Sequence, residues 1–262
     1  MAGSAIVALM SLAAVLALGF FLGMRHATDA DHVVAVSTIV SRQRTLRAAA
    51  PIGMLWGVGH TVTILLVGGA IILFGIVIPP RLGLGMELSV ALMLVVLGAL
   101  NVRSVLRDAR EMAGQGPSGL GHSHAALGAS WHSHVLAHEH GQPRPARLAQ
   151  WRAGRLRPLF VGIVHGLAGS AAVALLVLGA INDATLALAY LLVFGAGTIA
   201  GMVLITTALA VPLAAAAQRF VGFHRLLGIA TGLASVIFGA VLVYQIGFVD
   251  GLFRPEAHGS PR

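Results

Sequence analysis

Residues 52–78 read IGMLWGVGHTVTILLVGGAIILFGIVI, a stretch that contains no Asp, Glu, Lys or Arg. About 20 apolar residues in a helix cross the roughly 30 Å hydrocarbon core of a bilayer. Similar runs recur, and the 262-residue chain is 57% hydrophobic but only 10% charged, whereas a soluble domain is about 25% charged. This composition excludes a soluble globular protein and predicts an all-α polytopic membrane protein, with the lipid bilayer as a partner. The apolar runs are 4–40, 52–78, 86–106, 159–181, 184–217 and 226–248.

These runs predict about six transmembrane helices, or seven if residues 1–18 form a span of their own. The first run is too long for a single crossing, because as a straight helix it would extend roughly 55 Å at 1.5 Å per residue. We therefore expect the first helix to be broken, hairpinned or extended beyond the membrane. The fifth run is also long, and its helix is expected to end near Pro212, since proline removes a backbone donor.

The charges predict the orientation of the spans. All 17 Lys or Arg residues are Arg, and they concentrate in alternate connections, 42–50, 107–157 and 218–225. Cytoplasmic loops of membrane proteins are enriched in such cations, so these three connections are predicted to be cytoplasmic. The net charge of +8 then reflects topology, and no nucleic acid is expected as a partner. The chain has no Cys, which excludes disulfides and thiolate metal ligands.

A weak internal repeat is visible, since residues 21–26, FLGMRH, align with residues 160–165, FVGIVH. With the predicted orientation, the two halves form two inverted three-helix repeats, a plan common in secondary transporters that have a midplane substrate site. Chance similarity between apolar, Gly-rich segments is the alternative. The predicted organisation is a lead-in, 1–18; a first three-span repeat, 19–107; a cytoplasmic His-rich flexible loop, 108–157; a second three-span repeat, 158–250; and a polar tail, 251–262.

The stretch Arg25-His26-Ala27-Thr28-Asp29-Ala30-Asp31-His32 interrupts the first apolar run. Ionisable side chains at membrane depth are costly and usually mark a functional pathway, and imidazole with carboxylate suits divalent first-row metal ions. On a straight helix His26, Asp29 and His32 share a face, whereas Asp31 points elsewhere. His26 and His32 would then lie about 9 Å apart along the axis, too far for one ion. Either the first helix is broken at this motif or an ion passes between partial sites; a solvated loop is the alternative.

Two further His residues lie within apolar runs. His60 follows Gly57 and Gly59, and small residues allow helices to approach closely. These glycines could bring His60 close to the first span, where it would be a metal ligand. The alternative is a buried His that is hydrogen-bonded to a neighbouring helix. His165 is the repeat partner of His26 and is a candidate ligand, proton-handling group or structural residue.

The central loop contains six His within residues 122–140, among Gly, Ser and Ala. Such His-rich tracts bind metal loosely. We expect this tract either to capture metal ions loosely or to be a linker without a function.

The motif residues match the pattern R-H-A-x-D-A-D-H, which contains H-x4-D-H, and residues 58–61, VGHT, approximate Leu-Gly-His-Ser/Thr. In these motifs the sequence resembles the nickel/cobalt transporter (NiCoT/NicO) family. Within this family it is most similar to the short urease-accessory nickel permease branch. The resemblance implies a secondary transporter of Ni2+, with Co2+ as a further substrate, in the bacterial cytoplasmic (inner) membrane. Uptake is the expected direction and efflux the alternative, and the metal is a substrate rather than a catalytic cofactor. The implied metal residues are His26, Asp29, Asp31, His32 and His60, to which we add His165.

The chain departs from typical family members, which have eight spans and an acidic element in a later span where this chain has residues 164–170, VHGLAGS. A membrane zinc metalloenzyme that uses the same cluster is the alternative from another class. The sequence supplies no further general acid or base for it, and no phosphate-binding Gly-Lys loop or HExxH motif. The protein is therefore predicted not to be an enzyme.

Overall fold

A computed structural model describes residues 2–41, 49–76, 78–114, 156–167, 181, 183–219 and 221–254. All regular secondary structure in these residues is helical, which confirms the predicted fold class at this level. Four predicted segments lie wholly or largely outside the described residues: the His-rich tract 122–140, most of the loop 108–157, the end of the run 159–181 and most of the tail 251–262. The helices are α1 Ala2–His26, α2 Ala30–Val40, α3 Ala49–Phe74, α4 Pro80–Gly114, α5 Leu156–His165, α6 Ala184–Arg219 and α7 Val221–Tyr244, which continues as a π-helical turn, Gln245–Val249.

Several of these helices have the length and composition of membrane spans, as the apolar runs predict. Three shorter apolar helices, Leu12–His26, Ala30–Val40 and Leu156–His165, accompany them. The chain is therefore a multi-pass membrane protein. Within the described residues, the four helices long and apolar enough to cross a membrane are Ala49–Phe74, Pro80–Glu111, Ala184–Ala215 and Arg225–Val249.

The first apolar run is broken at the acidic motif. Helix α1 ends at His26, the backbone N–H groups of Thr28 and Asp29 donate to carbonyls three residues earlier, and α2 begins at Ala30. Asp29 has an extended backbone with φ −59° and ψ 147°, outside the helical region. The break requires no Pro or Gly, and it places the motif in the interior of the bundle.

The expectation that a helix would end near Pro212 was wrong, because α6 continues through this residue to Arg219. Proline in a soluble helix interior costs about 3 kcal/mol or more. In a membrane helix the loss is tolerated, because neighbouring helices and local adjustments satisfy the freed carbonyl. Leu209 and Leu213, which flank Pro212, pack against the hydrophobic core.

The bundle is built around α6, which packs against both α1 and α3, while α4 packs against α7. Glycines permit these close approaches. A Cβ at Gly57 would meet Ile199 of α6, and one at Gly59 would overlap the Leu159 carbonyl of α5. The small residues before His60 therefore bring α3 against α5 and α6, while the side chain of His60 lies beside the first span as expected, 2.9 Å from His26.

Candidate metal site

Four histidines converge in the interior of the bundle, although they come from four different helices. His26 ends α1, His32 lies in the first turn of α2, His60 is near the middle of α3, and His165 ends α5. His32 and His165 are fully buried, and His60 and His26 are 1% and 6% exposed. The ring centroids of neighbouring members lie between 4.1 and 6.0 Å apart. The structure thus brings together residues that are up to 139 positions apart in the sequence.

His26, His32 and His60 form the first group that could hold a metal ion. Each offers one ring nitrogen, and the three nitrogens all lie within 4.8 Å of one another. Nε2 of His26 lies 2.9 Å from Nε2 of His60. The separation of about 9 Å expected between His26 and His32 on a straight helix does not apply, because the helix is broken at residues 27–29 and the two ring centroids lie 4.7 Å apart.

Asp31, His32 and His165 form a second group of the same kind, which shares His32 with the first. Oδ1 of Asp31 lies 3.0 Å from Nδ1 of His32, and Oδ2 lies 2.9 Å from Nε2 of His165. The backbone N–H of His32 also donates to Oδ1. Asp31 therefore points into the cluster, and the expectation that it points elsewhere was wrong because it assumed a continuous helix.

The hydrogen bonds of Asp31 fix the proton positions on two of the histidines. A carboxylate only accepts hydrogen bonds, so His32 donates through Nδ1 and His165 through Nε2, and in a neutral ring the other nitrogen then carries a lone pair. Those other nitrogens, Nε2 of His32 and Nδ1 of His165, are buried and have no hydrogen-bond partner among the described residues. The same is true of Nδ1 of His60. Buried polar atoms without a partner are rare and call for an explanation. A lone pair on imidazole that faces no donor is the form that binds a metal ion.

Asp29, also predicted as a ligand, lies at the edge of the cluster. Its Oδ2 is 2.8 Å from Nδ1 of His26, but its side chain is 40% exposed, and it belongs to neither group. Asp29 therefore holds the ring of His26 in place and fixes which nitrogen carries the proton. Arg25 is exposed and does not belong to either group.

Sequence reasoning missed two aromatic residues that form walls of the cluster. The indole of Trp56 is fully buried and stacks on His32, with centroids 5.9 Å apart and an interplanar angle of 11°. The ring of Phe194 lies 5.7 Å from that of His26. Trp56 could have been found from its spacing, because a residue four positions before His60 shares its helix face.

A cavity of about 420 Å3 reaches the motif from the region where α4 begins and α7 ends. We refer to this cavity as the acidic vestibule, because four carboxylates line it and none of its described lining residues is basic. Glu87 and Asp250 were not singled out in the sequence, since each is an isolated acid at the end of an apolar run. The lining residues are Asp29, Ala30, Asp31, Glu87, Val90, Phe238, Leu242, Gln245, Ile246 and Asp250.

Comparison with known proteins gives a consistent result. The NicO family, described as high-affinity nickel-transport protein, matches residues 12–250. The chain is also 35% identical over 243 residues to "Urease accessory protein UreH" of Bacillus sp. (strain TB-90). This alignment covers 93% of this chain and 96% of that relative. No solved structure matches the chain. Because the family match includes the acidic motif and all four buried histidines, and extends over most of the sequence, the chain belongs to the NicO family of high-affinity nickel-transport proteins.

Proposed function

We propose that this protein is a secondary transporter that moves Ni2+ across the bacterial cytoplasmic membrane, in the direction of uptake, through the cluster of buried histidines. The family is one of transporters, so the chain is not an enzyme, and nickel is its substrate rather than a catalytic cofactor. The observation that carries the site assignment is the set of unpartnered, buried ring nitrogens. Co2+ is a further substrate in this proposal, since both ions suit imidazole ligands.

The geometry of the first group supports binding of a transition-metal ion. Two nitrogens bound to one ion at about 2.1 Å lie about 3.0 to 3.4 Å apart. Nε2 of His26 and Nε2 of His60 are already 2.9 Å apart as a hydrogen-bonded pair, and the three nitrogens of the group lie within 4.8 Å of one another, so one ion can replace the shared proton after a small adjustment.

The two groups support transfer of the ion between successive positions. His32 belongs to both, so an ion can keep this ligand while it passes between His165 and the pair of His26 and His60. A metal ion that loses its hydration shell inside a membrane needs such continuous replacement of ligands, because an uncompensated charge in lipid is costly. In this proposal Asp31 acts mainly by orienting His32 and His165, as carboxylates behind ligating histidines commonly do.

The acidic vestibule supports uptake. Glu87 lies near the start of α4 and Asp250 follows α7, at the ends opposite to the Arg residues that predict the cytoplasmic side. A cavity lined by one sign of charge raises the local concentration of the opposite ion. The route that we propose therefore begins at the outer face and reaches the cluster at Asp31.

Six spans in two inverted repeats remain our proposal for the architecture, and reciprocal contacts support it. Gly23 of α1 approaches the carbonyl of Phe194, while Gly162, its equivalent in α5, approaches the carbonyl of Trp56. Each of these aromatic residues directly precedes a Gly-x-Gly element, residues 57–59 after Trp56 and residues 195–197 after Phe194. Such an exchange of equivalent contacts is expected of two halves related by a pseudo-two-fold axis. Within this plan α1 and α2 form one broken span.

Nickel flux in liposomes that contain the purified full chain and an internal metal-sensitive dye tests the proposed function. We expect His32→Ala to reduce the initial rate of Ni2+ influx at least 10-fold, because this residue serves both groups. His258→Ala, the same chemical change outside the motif, should transport like the wild type. Influx by His32→Ala at the wild-type rate would contradict the site. Lower nickel content in cells that express the wild type would contradict uptake and favour efflux.

A further inference from the structure

A second cavity lies at the other end of α4, far along the helix from the acidic vestibule. It is a groove of about 660 Å3 between α4 and α7, and its apolar lining contains exposed Leu106 and Leu233, which are 40% and 48% exposed. We call it the arginine groove. Its lining includes Val102, Arg103, Leu106, Arg107, Arg110 and Leu233.

Three arginines give this groove its charge. Arg103, Arg107 and Arg110 follow one another at spacings of four and three residues, so they project from one face of α4. All three are exposed, and none forms an ion pair within the part of the chain that the structure describes. Asp108 and Glu111 of the same helix do not line the groove. Within the described residues, the groove therefore presents three cations that have no ion-pair partner.

The intervening loop does not supply the missing negative charge in its sequence. Between residues 115 and 155 there is one acid, Glu139, against four Arg. A ligand that neutralises the groove must therefore come from outside this part of the chain.

The level of the groove in the membrane indicates the nature of that ligand. The three arginines extend over about 10 Å along the helix axis, at the end of the apolar run 86–106 that the Arg distribution predicts to be cytoplasmic. Along α4 the lining passes from Val102, within the apolar run 86–106, to Arg107 and Arg110 just beyond its end. Basic pockets between transmembrane helices on this side bind anionic lipid headgroups, and guanidinium pairs with phosphate through paired hydrogen bonds.

We infer that the arginine groove is a binding site for an anionic phospholipid of the cytoplasmic leaflet. Arg103, Arg107 and Arg110 bind the phosphate and the acidic headgroup, and one acyl chain lies against Val102, Leu106 and Leu233. This inference is independent of nickel transport, since the groove shares no residue with the histidine cluster.

A tryptophan reporter in the groove tests the inference directly. The full chain with Leu233→Trp is placed in phosphatidylcholine nanodiscs that contain increasing amounts of brominated phosphatidylglycerol, and the quenching of its emission is corrected with the parent chain, which has three Trp. We expect quenching to saturate at low mole fractions of brominated phosphatidylglycerol. Brominated phosphatidylcholine should quench only in proportion to its amount.

The charge dependence of quenching provides the matched comparison. Adding Arg107→Gln to the reporter chain should weaken the apparent affinity for phosphatidylglycerol about fivefold, the equivalent of one basic residue near a membrane surface. Arg225→Gln, an exposed Arg of α7 that does not line the groove, should change it less than twofold. Equal quenching by the two lipids, or equal weakening by the two Arg variants, would overturn the inference.

Discussion

Replacing Asp31 by Asn tests how the cluster prepares its nitrogens, because the change keeps the size of the side chain and alters its hydrogen bonding. Asp31 accepts three hydrogen bonds, two on Oδ1 from His32 and one on Oδ2 from His165. An amide has one acceptor oxygen and one donor nitrogen. The oxygen must remain towards His32, since the backbone N–H there cannot stop donating, and the amide nitrogen then faces His165.

The consequence for His165 is a change of tautomer. Its Nε2 must become the acceptor, so Nδ1 gains the proton and loses the lone pair that is unpartnered in the native cluster. Asp31→Asn thus removes His165 as a ligand without touching its ring. Loss of an orienting partner typically weakens metal binding 10- to 100-fold, which is about 1.4 to 2.7 kcal/mol. We expect a rise of this size in the Ni2+ concentration for half-maximal influx into liposomes.

A double-mutant cycle distinguishes orientation from direct ligation by Asp31. If Asp31 acts largely through His165, Asp31→Asn should have at least fivefold less effect in a His165→Ala background than in the wild type, since residues of one network couple by about 0.5 to 3 kcal/mol. Asp29→Asn is the matched control, because the side chain of Asp29 hydrogen-bonds only His26 among the described residues and is partly exposed. Its effect should be the same in both backgrounds. Equal effects of Asp31→Asn in both backgrounds would refute the orienting role.

Two further predictions concern the route and the packing. Glu87→Gln should raise the half-saturating Ni2+ concentration about fourfold without changing the maximal rate. The reason is that a carboxylate about 10 Å from a divalent ion in water contributes about 0.8 kcal/mol to the attraction. Glu111→Gln, on the same helix but outside the vestibule, should have no effect on influx kinetics. Gly162→Ala should lower thermal stability in detergent by about 1 to 3 kcal/mol or prevent folding, since its Cβ would overlap the Trp56 carbonyl. Gly83→Ala, where a Cβ meets nothing within 4 Å, should leave the melting temperature unchanged or raised. A stable Gly162→Ala protein would mean that α3 and α5 can separate without loss.

The membrane class and the approximate positions of the spans could be predicted from the sequence, because hydropathy directly reflects the bilayer as solvent. The ends of helices were less predictable. Proline was expected to end the fifth helix, but packing of its neighbours in α6 allows the helix to continue. The rule that proline ends a helix, which rests on the loss of one backbone hydrogen bond, gave the wrong helix end because neighbouring helices in a membrane protein reduce the cost of that loss.

The composition of the candidate site was predictable, but its arrangement was not. His26, His32, His60 and His165 could each be identified as polar residues within apolar runs. Helical periodicity placed Asp29 on the shared face and Asp31 away from it, whereas the structure has Asp31 inside the cluster and Asp29 at its edge. The turn at residues 27–29 resets the direction of every side chain that follows, and periodicity cannot show by how much.

The cluster is asymmetric although the helices that carry it have equivalent contacts. Both α1 and α5 end at a histidine of the aligned element, His26 and His165, but only the first half continues with acids and a further histidine. One half therefore supplies both carboxylates, and the second contributes His165, which depends on Asp31 for its proton position. Because α1 and α3 both pack against α6, rocking of α5 relative to α2 would separate Asp31 from His165 without parting His26 from His60. Rocking of this kind would weaken the second group selectively, as transfer of an ion from one group to the other requires.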